Sequence, residues 1–528
     1  MAISRRGPYA LALMSAGTVA DPPGAVGPRA VPWASVSLAT VVVSGLTLLA
    51  AALRFWRLGH QSFWYDEAFT QTLVRHSPGS MLAQLPRTEL TPPLYYCAAW
   101  VWARVFGFGE AGLRSLSAVA GVLTVPVVYV AARRFVDQRA GIFAAALVAC
   151  NPLLIWYSQE ARSYALLMLM VGLSLAAFAG IRRERPSTRG LVLWALPAGL
   201  TLAIHYYGCI AIVPQAIWLL VVHRRDRRVW VAVGAVAAAG AALLPIALSQ
   251  RPHASWIPLW PLDRRLAQIP PQFLLGTGTV ASTPLKIAGA LAVLLAAGLL
   301  ARRADRAPRR GALGAGLLGL GGFVLSLLLL VGGLDELITR NIIVVLIPLV
   351  IVVAGGLGAR RAGALGLVGA GVLCTVGVTA ALSVSFDYSL QRPDWNGVAA
   401  TLGEHPAHGP RAILIEHYAA LMPLASKLSG LRSMPPGGAR VREFDIIAVP
   451  KAAPGWFCWW GAGCNLVASP LVSFLRVPGF DHASVVRVHQ FAILRLVADH
   501  PHHVTQRELL RLIARRPFAR GAVMLQRR

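Results

Sequence analysis

The sequence predicts a polytopic α-helical membrane protein, with about 11 transmembrane helices plus outer juxtamembrane helices and a small C-terminal extracytoplasmic α/β domain. Three observations predict it. The 528-residue chain is 56% hydrophobic and carries 22 acidic residues against 50 basic ones, a balance unlike that of soluble domains. Its apolar residues gather into runs near the ~20 needed to cross a bilayer. Its arginines sit in short loops between those runs: "RRFVDQR" (133–139), "RRERPSTR" (182–189), "HRRDRR" (223–228), "RRADRAPRR" (302–310) and "RR" (360–361). Loops of this kind stay cytoplasmic. The net charge of +28 therefore marks orientation in a membrane, and nucleic acid is not an expected partner.

In chain order, residues 1–32 read as a disordered cytoplasmic extension rather than a signal peptide, because a longer apolar run follows at once. The expected spans are 33–53, 115–132, 140–157, 164–181, 190–206, 208–222, 229–248, 284–300, 311–332, 341–358 and 363–384. A further run, 92–107 ("PPLYYCAAWVWARVFG"), is short, starts with two prolines and contains Arg104. If it crossed the bilayer, the Arg-rich loops would fall on opposite sides; as an outer juxtamembrane helix it keeps them together. The membrane domain is then 33–384, with a first outer loop at 54–114, and 385–528 lies outside.

With that orientation the polar groups converge on one face. Asp66 and Glu67 in "FWYDEAFT", Arg114, Glu160 and Arg162 in "SQEARSY", His205 with Tyr206 and Tyr207, and Asp335, Glu336 and Arg340 all fall at outer helix ends or in the first outer loop. Transporters commonly place charged sites near the midplane, so a surface-level active site facing away from the cytoplasm fits better. The sequence has no GxxxxGK[ST] phosphate loop. An enzyme there needs a donor carried by the membrane, and a polyprenyl-phosphate sugar meets that need. Its phosphate needs a cation as charge develops, and the acceptor hydroxyl needs a base.

Asp66 is the candidate base, with Trp64 and Tyr65 as interfacial anchors. Asp66 and Glu67 read equally as caps of the helix that follows. Arg114, Arg162 and Arg340 are candidates for the donor phosphate. Snorkelling to headgroups is the alternative for Arg114 and Arg162, and pairing with Asp335 or Glu336 for Arg340. Glu160 reads as a reactant or as the partner of Arg162. His205 orients a hydroxyl, ligates a metal or caps its helix.

In order, "WYDEAFT", "TPPLYY", "GLRSLSAVAGVLTVPVVYVAARR", "NPLLIWYSQEARSYAL", "HYYG", "TRNIIVVLIP" and "RPDWNGVA" resemble the GT-C glycosyltransferases over roughly residues 33–400. They look closest to the bacterial branch related to protein O-mannosyltransferases and the lipid A aminoarabinose transferase. The resemblance implies a GT-C fold and an inverting enzyme using a polyprenyl-phosphate sugar of mannose or arabinose type. It implies Asp66 and Glu67 as the catalytic acidic pair and Arg114 as a donor-phosphate residue. The cavity would be lined by Tyr65, Glu160, Tyr164, His205 and Tyr206. Where members often carry His before the proline pair, this chain has Thr91. No metal ligands are assigned and no cofactor is certain, although some relatives use a divalent metal. The expected partners are membrane lipid, the lipid-linked sugar and a glycan, lipid or protein acceptor at the outer face of a bacterial plasma membrane. A flippase of lipid-linked sugar, or a polymerase or ligase of lipid-linked oligosaccharide, is the rival reading.

Beyond residue 385, "RAILIEHY" and "EFDIIAVP" read as buried strands and "TQRELLRLIARR" as an amphipathic helix. Cys458 and Cys464 in "FCWWGAGC" are spaced for a disulfide in an oxidising compartment, and no second pair suggests zinc.

Overall fold

The structure, a computed structural model, describes residues 37–277, 282–415, 421–448, 477–511 and 522–527. Cys458 and Cys464 lie outside the described residues, as does the extension 1–32. Helices α1 (Leu38–Phe55), α2 (Tyr65–Arg75), α3 (Pro78–Thr88), α4 (Leu94–Phe106) and α5 (Glu110–Phe135) lead into α6 (Gln138–Cys150), α7 (Pro152–Ser158) and α8 (Tyr164–Ile181). They are followed by α9 (Thr188–Ile204), α10 (Cys209–Val222), α11 (Arg227–Ala241), α12 (Leu244–Gln250) and α13 (Leu262–Leu275). The last apolar helices are α14 (Thr283–Arg302), α15 (Arg306–Val331), α16 (Leu346–Leu357) and α17 (Ala364–Phe386).

Among the described residues, seven helical segments are long and apolar enough to cross a membrane: α1, α5, α8, Arg227–Leu259, α14, α15 and α17. Three shorter apolar stretches, Thr188–Ile204, Tyr206–Val222 and Ile343–Leu357, lie among them. Helix α8 is central, with 72% of its apolar window buried, whereas Arg227–Leu259 is peripheral at 6%. Large apolar side chains such as Leu48, Leu196, Val231, Leu294, Leu328 and Leu367 face outward in a belt suited to lipid. The chain is a polytopic helical membrane protein.

Residues 140–157, expected as one straight span, are instead α6 and α7 joined at a 58° bend. Pro152 has no N–H to continue α6, and Asn151 Oδ1 restarts the chain as an N-cap by accepting from Leu154 N at 3.0 Å. The freed carbonyls of Val148 and Ala149 each take a 3.0 Å hydrogen bond from the buried Arg54 guanidinium. Gly377 of α17 packs against the break, where a Cβ would lie 2.2 Å from Cys150 O. The bend delivers the turn 159–163 to the end of the bundle beside α2.

The run 92–107 forms the 13-residue α4. It packs with α2 and α3 through Phe63, Ala68, Leu73, Val74, Met81, Leu85, Tyr95, Tyr96 and Ala99, so the first loop has a core of its own. That core fixes α2.

After α17 come α18 (Trp395–Leu402), β1 (Arg411–Ile415), α19 (Leu421–Ala425), β2 (Leu431–Ser433), β3 (Ala439–Ala448), β4 (His482–Val488), β5 (Phe491–Val504), α20 (Gln506–Arg511) and β6 (Ala522–Gln526). The strands form one six-stranded sheet in the order β2-β6-β1-β3-β5-β4, with β1 and β3 parallel and the other pairs antiparallel. Of the two segments read as buried strands, the described residues 411–415 and 443–448 are in the sheet, and 416–418 and 449–450 lie outside the described residues. Period-2 alternation sorts its faces. Ile413, Ile415, Ile447, Phe491 and Ile493 pack on Trp395, Val398 and Leu402 of α18, while Leu414, Phe444, Ile446 and Leu496 face Phe480 and Leu509.

On the α18 face, Glu443 and Asp445 are buried between Arg411 and Arg495. Arg411 and Arg495 also donate to the last carbonyls of α18 at Leu402, with Arg411 reaching Gly403 and Arg495 reaching Thr401. Burial, and then the neighbouring Glu443, push the Asp445 carboxyl up to about 7. A carboxyl that holds its proton more tightly folded than unfolded stabilises the fold at low pH. That contribution is lost as pH rises from the ordinary carboxylate range through about 7. Hydrogen-exchange protection of β3 and β5, corrected for intrinsic rates, is therefore expected to fall by on the order of a few kcal/mol between pH 5 and 8. Asp445→Asn should flatten that dependence.

Candidate active site

Helix α2 starts ten residues after α1 ends, and its first turn carries Asp66 and Glu67. The two neighbours point to different surroundings. Glu67 is sealed, with no solvent exposure, and is held by Arg114 at 2.7 Å through both carboxylate oxygens. It also accepts from Ala161 N at 2.8 Å and, at 3.4 Å, from Trp64 N at its own helix start. Burial would raise the Glu67 carboxyl, but Arg114, Arg392 and the Ala161 N–H together outweigh it and hold the group below the ordinary value. Glu67 thus caps the start of α2 and serves as the counter-ion of Arg114.

Arg114 is correspondingly saturated. Beyond Glu67 it donates to Gln61 O at 2.6 Å, Ser62 O at 2.9 Å and Leu58 O at 3.1 Å. A guanidinium has five N–H groups, and here all five are engaged. In this arrangement the guanidinium of Arg114 holds Glu67 and the loop 58–62 together.

Two further pairs lie against this one. Arg392 Nη2 meets Glu160 Oε2 at 3.0 Å, and its guanidinium lies 4.1 Å from the Trp156 ring. Arg162 Nη1 meets Glu89 Oε2 at 2.9 Å and also donates to Tyr96 OH, Asp66 O and Thr70 Oγ1. Glu160 and Arg162, two residues apart, therefore do not pair with each other. Burial raises the Glu160 carboxyl, with Arg392 offsetting part of it, and raises Glu89 in the same way against Arg162.

The fourth pair is the open one. Asp66 Oδ2 lies 3.2 Å from Arg340 Nη1, with side chains 19% and 13% exposed, against 4% or less for Glu67, Glu89 and Glu160. Arg340 does not pair with its neighbour Asp335, which instead binds the buried Arg265 at 2.6 and 2.8 Å. Four carboxylates and four guanidiniums thus meet at one end of the bundle. Four buried atoms of this network, Glu89 Oε1, Glu160 Oε1, Arg162 Nε and Arg392 Nε, have no hydrogen-bond partner among the described residues. Polar atoms left in that state are ordinarily completed by water or a ligand.

Aromatic side chains form one wall. Tyr164 packs at a tilt against Tyr157, with ring centroids 4.6 Å apart, and against His205 at 5.5 Å. His205 ends α9, and its Nδ1 accepts from Tyr207 N at 3.3 Å, the capping role. Tyr206 donates its hydroxyl to Gln250, whose amide donates to Thr91 O at 3.3 Å, and the Thr91 hydroxyl meets Tyr96 OH at 3.1 Å. Tyr65 packs edge-on against Phe69 near the open side. Among the described residues no three His, Cys, Asp or Glu side chains group to hold a metal ion. The four carboxylates each face an arginine instead, a poor donor set for a divalent cation. Glu89, Tyr96, Thr70 and Arg392 were not singled out from the sequence, because their partners lie 66 to 232 positions away.

Residues 91–256 match the profile of the dolichyl-phosphate-mannose-protein mannosyltransferase family, a stretch that includes Arg114, Glu160, Arg162 and His205 but neither Asp66 nor Arg340. No curated protein matches. Among solved structures, the chain is similar to ArnT from Cupriavidus metallidurans bound to undecaprenyl phosphate, at 14% identity and a TM-score of 0.48 over 87% of this chain and 99% of that one. It is similar to the arabinofuranosyltransferase AftD from Mycobacteria at 16% identity and 0.44, over 88% of this chain and 42% of that one. The S. cerevisiae protein O-mannosyltransferase Pmt1-Pmt2 complex bound to its sugar donor follows at 17% identity and 0.31, over 40% and 33%. Over residues 91–256 this chain is similar to the dolichyl-phosphate-mannose-protein mannosyltransferases, in keeping with the GT-C resemblance of its motifs.

Proposed function

We propose that the chain is a membrane glycosyltransferase that moves a sugar, of mannose or arabinose type, from a polyprenyl-phosphate donor to an acceptor at the outer face of a bacterial plasma membrane. The observation that carries this reading is the Asp66–Arg340 pair at the open edge of an otherwise sealed ionic network. The Arg-rich loops, expected on the cytoplasmic side, support an outward-facing site.

The geometry supports one division of labour. A donor phosphate entering the open edge competes with Asp66 for Arg340, and charge-assisted bonds to a guanidinium are strong enough to make the exchange. Asp66, released, accepts the proton of an acceptor hydroxyl. The acceptor oxygen attacks the anomeric carbon, the bond from that carbon to the phosphate oxygen breaks, and the electron pair leaves with the phosphate. Arg340 neutralises the charge that develops, with Arg162 behind it. Tyr157, Tyr164 and His205 offer the aromatic wall on which a sugar ring packs.

Purified protein in lipid vesicles, supplied with radiolabelled polyprenyl-phosphate sugars and a cell-envelope acceptor, tests this. Wild type is expected to transfer label, and Arg340→Met to bind donor about 10–100-fold more weakly. Donor binding without transfer, but with movement of donor across the vesicle membrane, would make the protein a transporter.

A further inference from the structure

We propose that Arg392, supplied by the segment leading into the C-terminal sheet, is a positioning residue that sets the geometry of Asp66. Its kinetic test rests on the glycosyltransferase reading above. Arg392 is 2% exposed and follows directly on the last apolar span. Its contacts reach the loop before α2, α2 itself, and α7 with the turn that follows it. The backbone N–H donates to Gln61 Oε1 at 3.1 Å, and Arg114 grips the carbonyl of the same residue at 2.6 Å. Nε lies 3.9 Å from Glu67 Oε2, and Nη2 binds Glu160 at 3.0 Å. Nη2 also donates to Trp156 O at 3.4 Å, in the helix that carries the turn 159–163.

The far side of Arg392 is anchored in the outer region. Two residues on, Asp394 caps α18 by accepting from Gly397 N at 3.0 Å. Asp394 also accepts from Ser62 Oγ at 3.2 Å and meets His489 Nδ1 of the β4–β5 turn at 2.6 Å. The Ser62 hydroxyl in turn accepts from Asn396 N at 2.8 Å. Gln490, beside His489, donates to Arg392 O at 3.3 Å. Lys427, just past α19, reaches Glu110 at the start of α5 at 2.6 Å, and Met422 packs on the first-loop core. The sheet is therefore tied to the loop that presents Asp66, and Arg392 is the member of the tie that reaches Glu67 and Glu160. It acts through Glu67, Glu160 and Gln61, one residue removed from the reacting carboxylate.

The test compares wild type with Arg392→Met and Arg392→Lys in the full chain. A misplacement of about 1 Å costs on the order of 10²-fold in rate. Arg392→Met is expected to lower kcat by that factor while donor affinity stays within about twofold, and Arg392→Lys, which keeps the charge but not the planar fork, to recover part of the loss. In parallel, hydrogen exchange is expected to speed up at residues 61–67 in Arg392→Met. If Arg392→Met does not fold, Arg392→Lys carries the test through the same split between kcat and donor affinity. A donor affinity that weakens at unchanged kcat would make Arg392 a phosphate ligand and overturn the proposal, as would a wild-type rate. If wild type transfers no sugar, the functional reading fails, and faster exchange at 61–67 still decides the positioning role.

Discussion

Asp66→Asn is expected to lower the rate of sugar transfer by roughly 10²–10⁴-fold, the range for losing a positioned general base. The amide keeps the shape of the carboxylate and cannot take the acceptor proton. It also removes the charge that occupies Arg340 at 3.2 Å. Donor should therefore bind the variant at least as tightly as it binds wild type. That combination, a collapsed kcat with undiminished donor affinity, separates a base from a helix-terminal carboxylate. If Asp66→Asn transfers at the wild-type rate, Asp66 only complements the N-terminus of α2.

Arg114→Met is expected to act on folding instead. It strands Glu67 in a site with no solvent exposure and frees the carbonyls that Arg114 holds at Leu58, Gln61 and Ser62. Breaking a buried pair from one side costs about 3–5 kcal/mol. Thermal unfolding of the detergent-solubilised protein should show a clearly lowered midpoint. Glu67→Gln/Arg114→Met, which leaves no orphaned charge, should recover part of it. A variant that folded normally and merely bound donor more weakly would restore Arg114 to the phosphate, as its motif suggested.

The contrast between Asp66 and Glu67 shows what the sequence carries and what it hides. Long apolar runs and the loops between them depend on local composition, so the helical membrane architecture was legible from the chain alone. The bend at Asn151–Pro152 was signalled by the proline but was read through, because the hydropathy of residues 140–157 is continuous across it. The convergence of acids and arginines on one end was also legible. Which acid meets which arginine was not. "DE" at 66–67 looks symmetric in sequence, yet helical geometry turns the two carboxylates about 100° apart, one toward Arg114 and the other toward Arg340. Likewise "SQEARSY" invites a Glu160–Arg162 pair, while the turn sends Glu160 to Arg392 and Arg162 to Glu89. Partners so distant in the chain leave no local pattern to read.

The open pair also bears on how a catalytic cycle ends. When the sugar leaves, the lipid phosphate gains negative charge, so a cationic site holds the product more tightly than the donor and is prone to stall. A site in which Arg340 has a carboxylate waiting 3.2 Å away has a built-in competitor for that product. On the proposed mechanism, the return of Asp66 to Arg340 after proton release would displace the spent carrier. The same contact that keeps the empty enzyme quiet would then drive carrier release and set the pace of turnover.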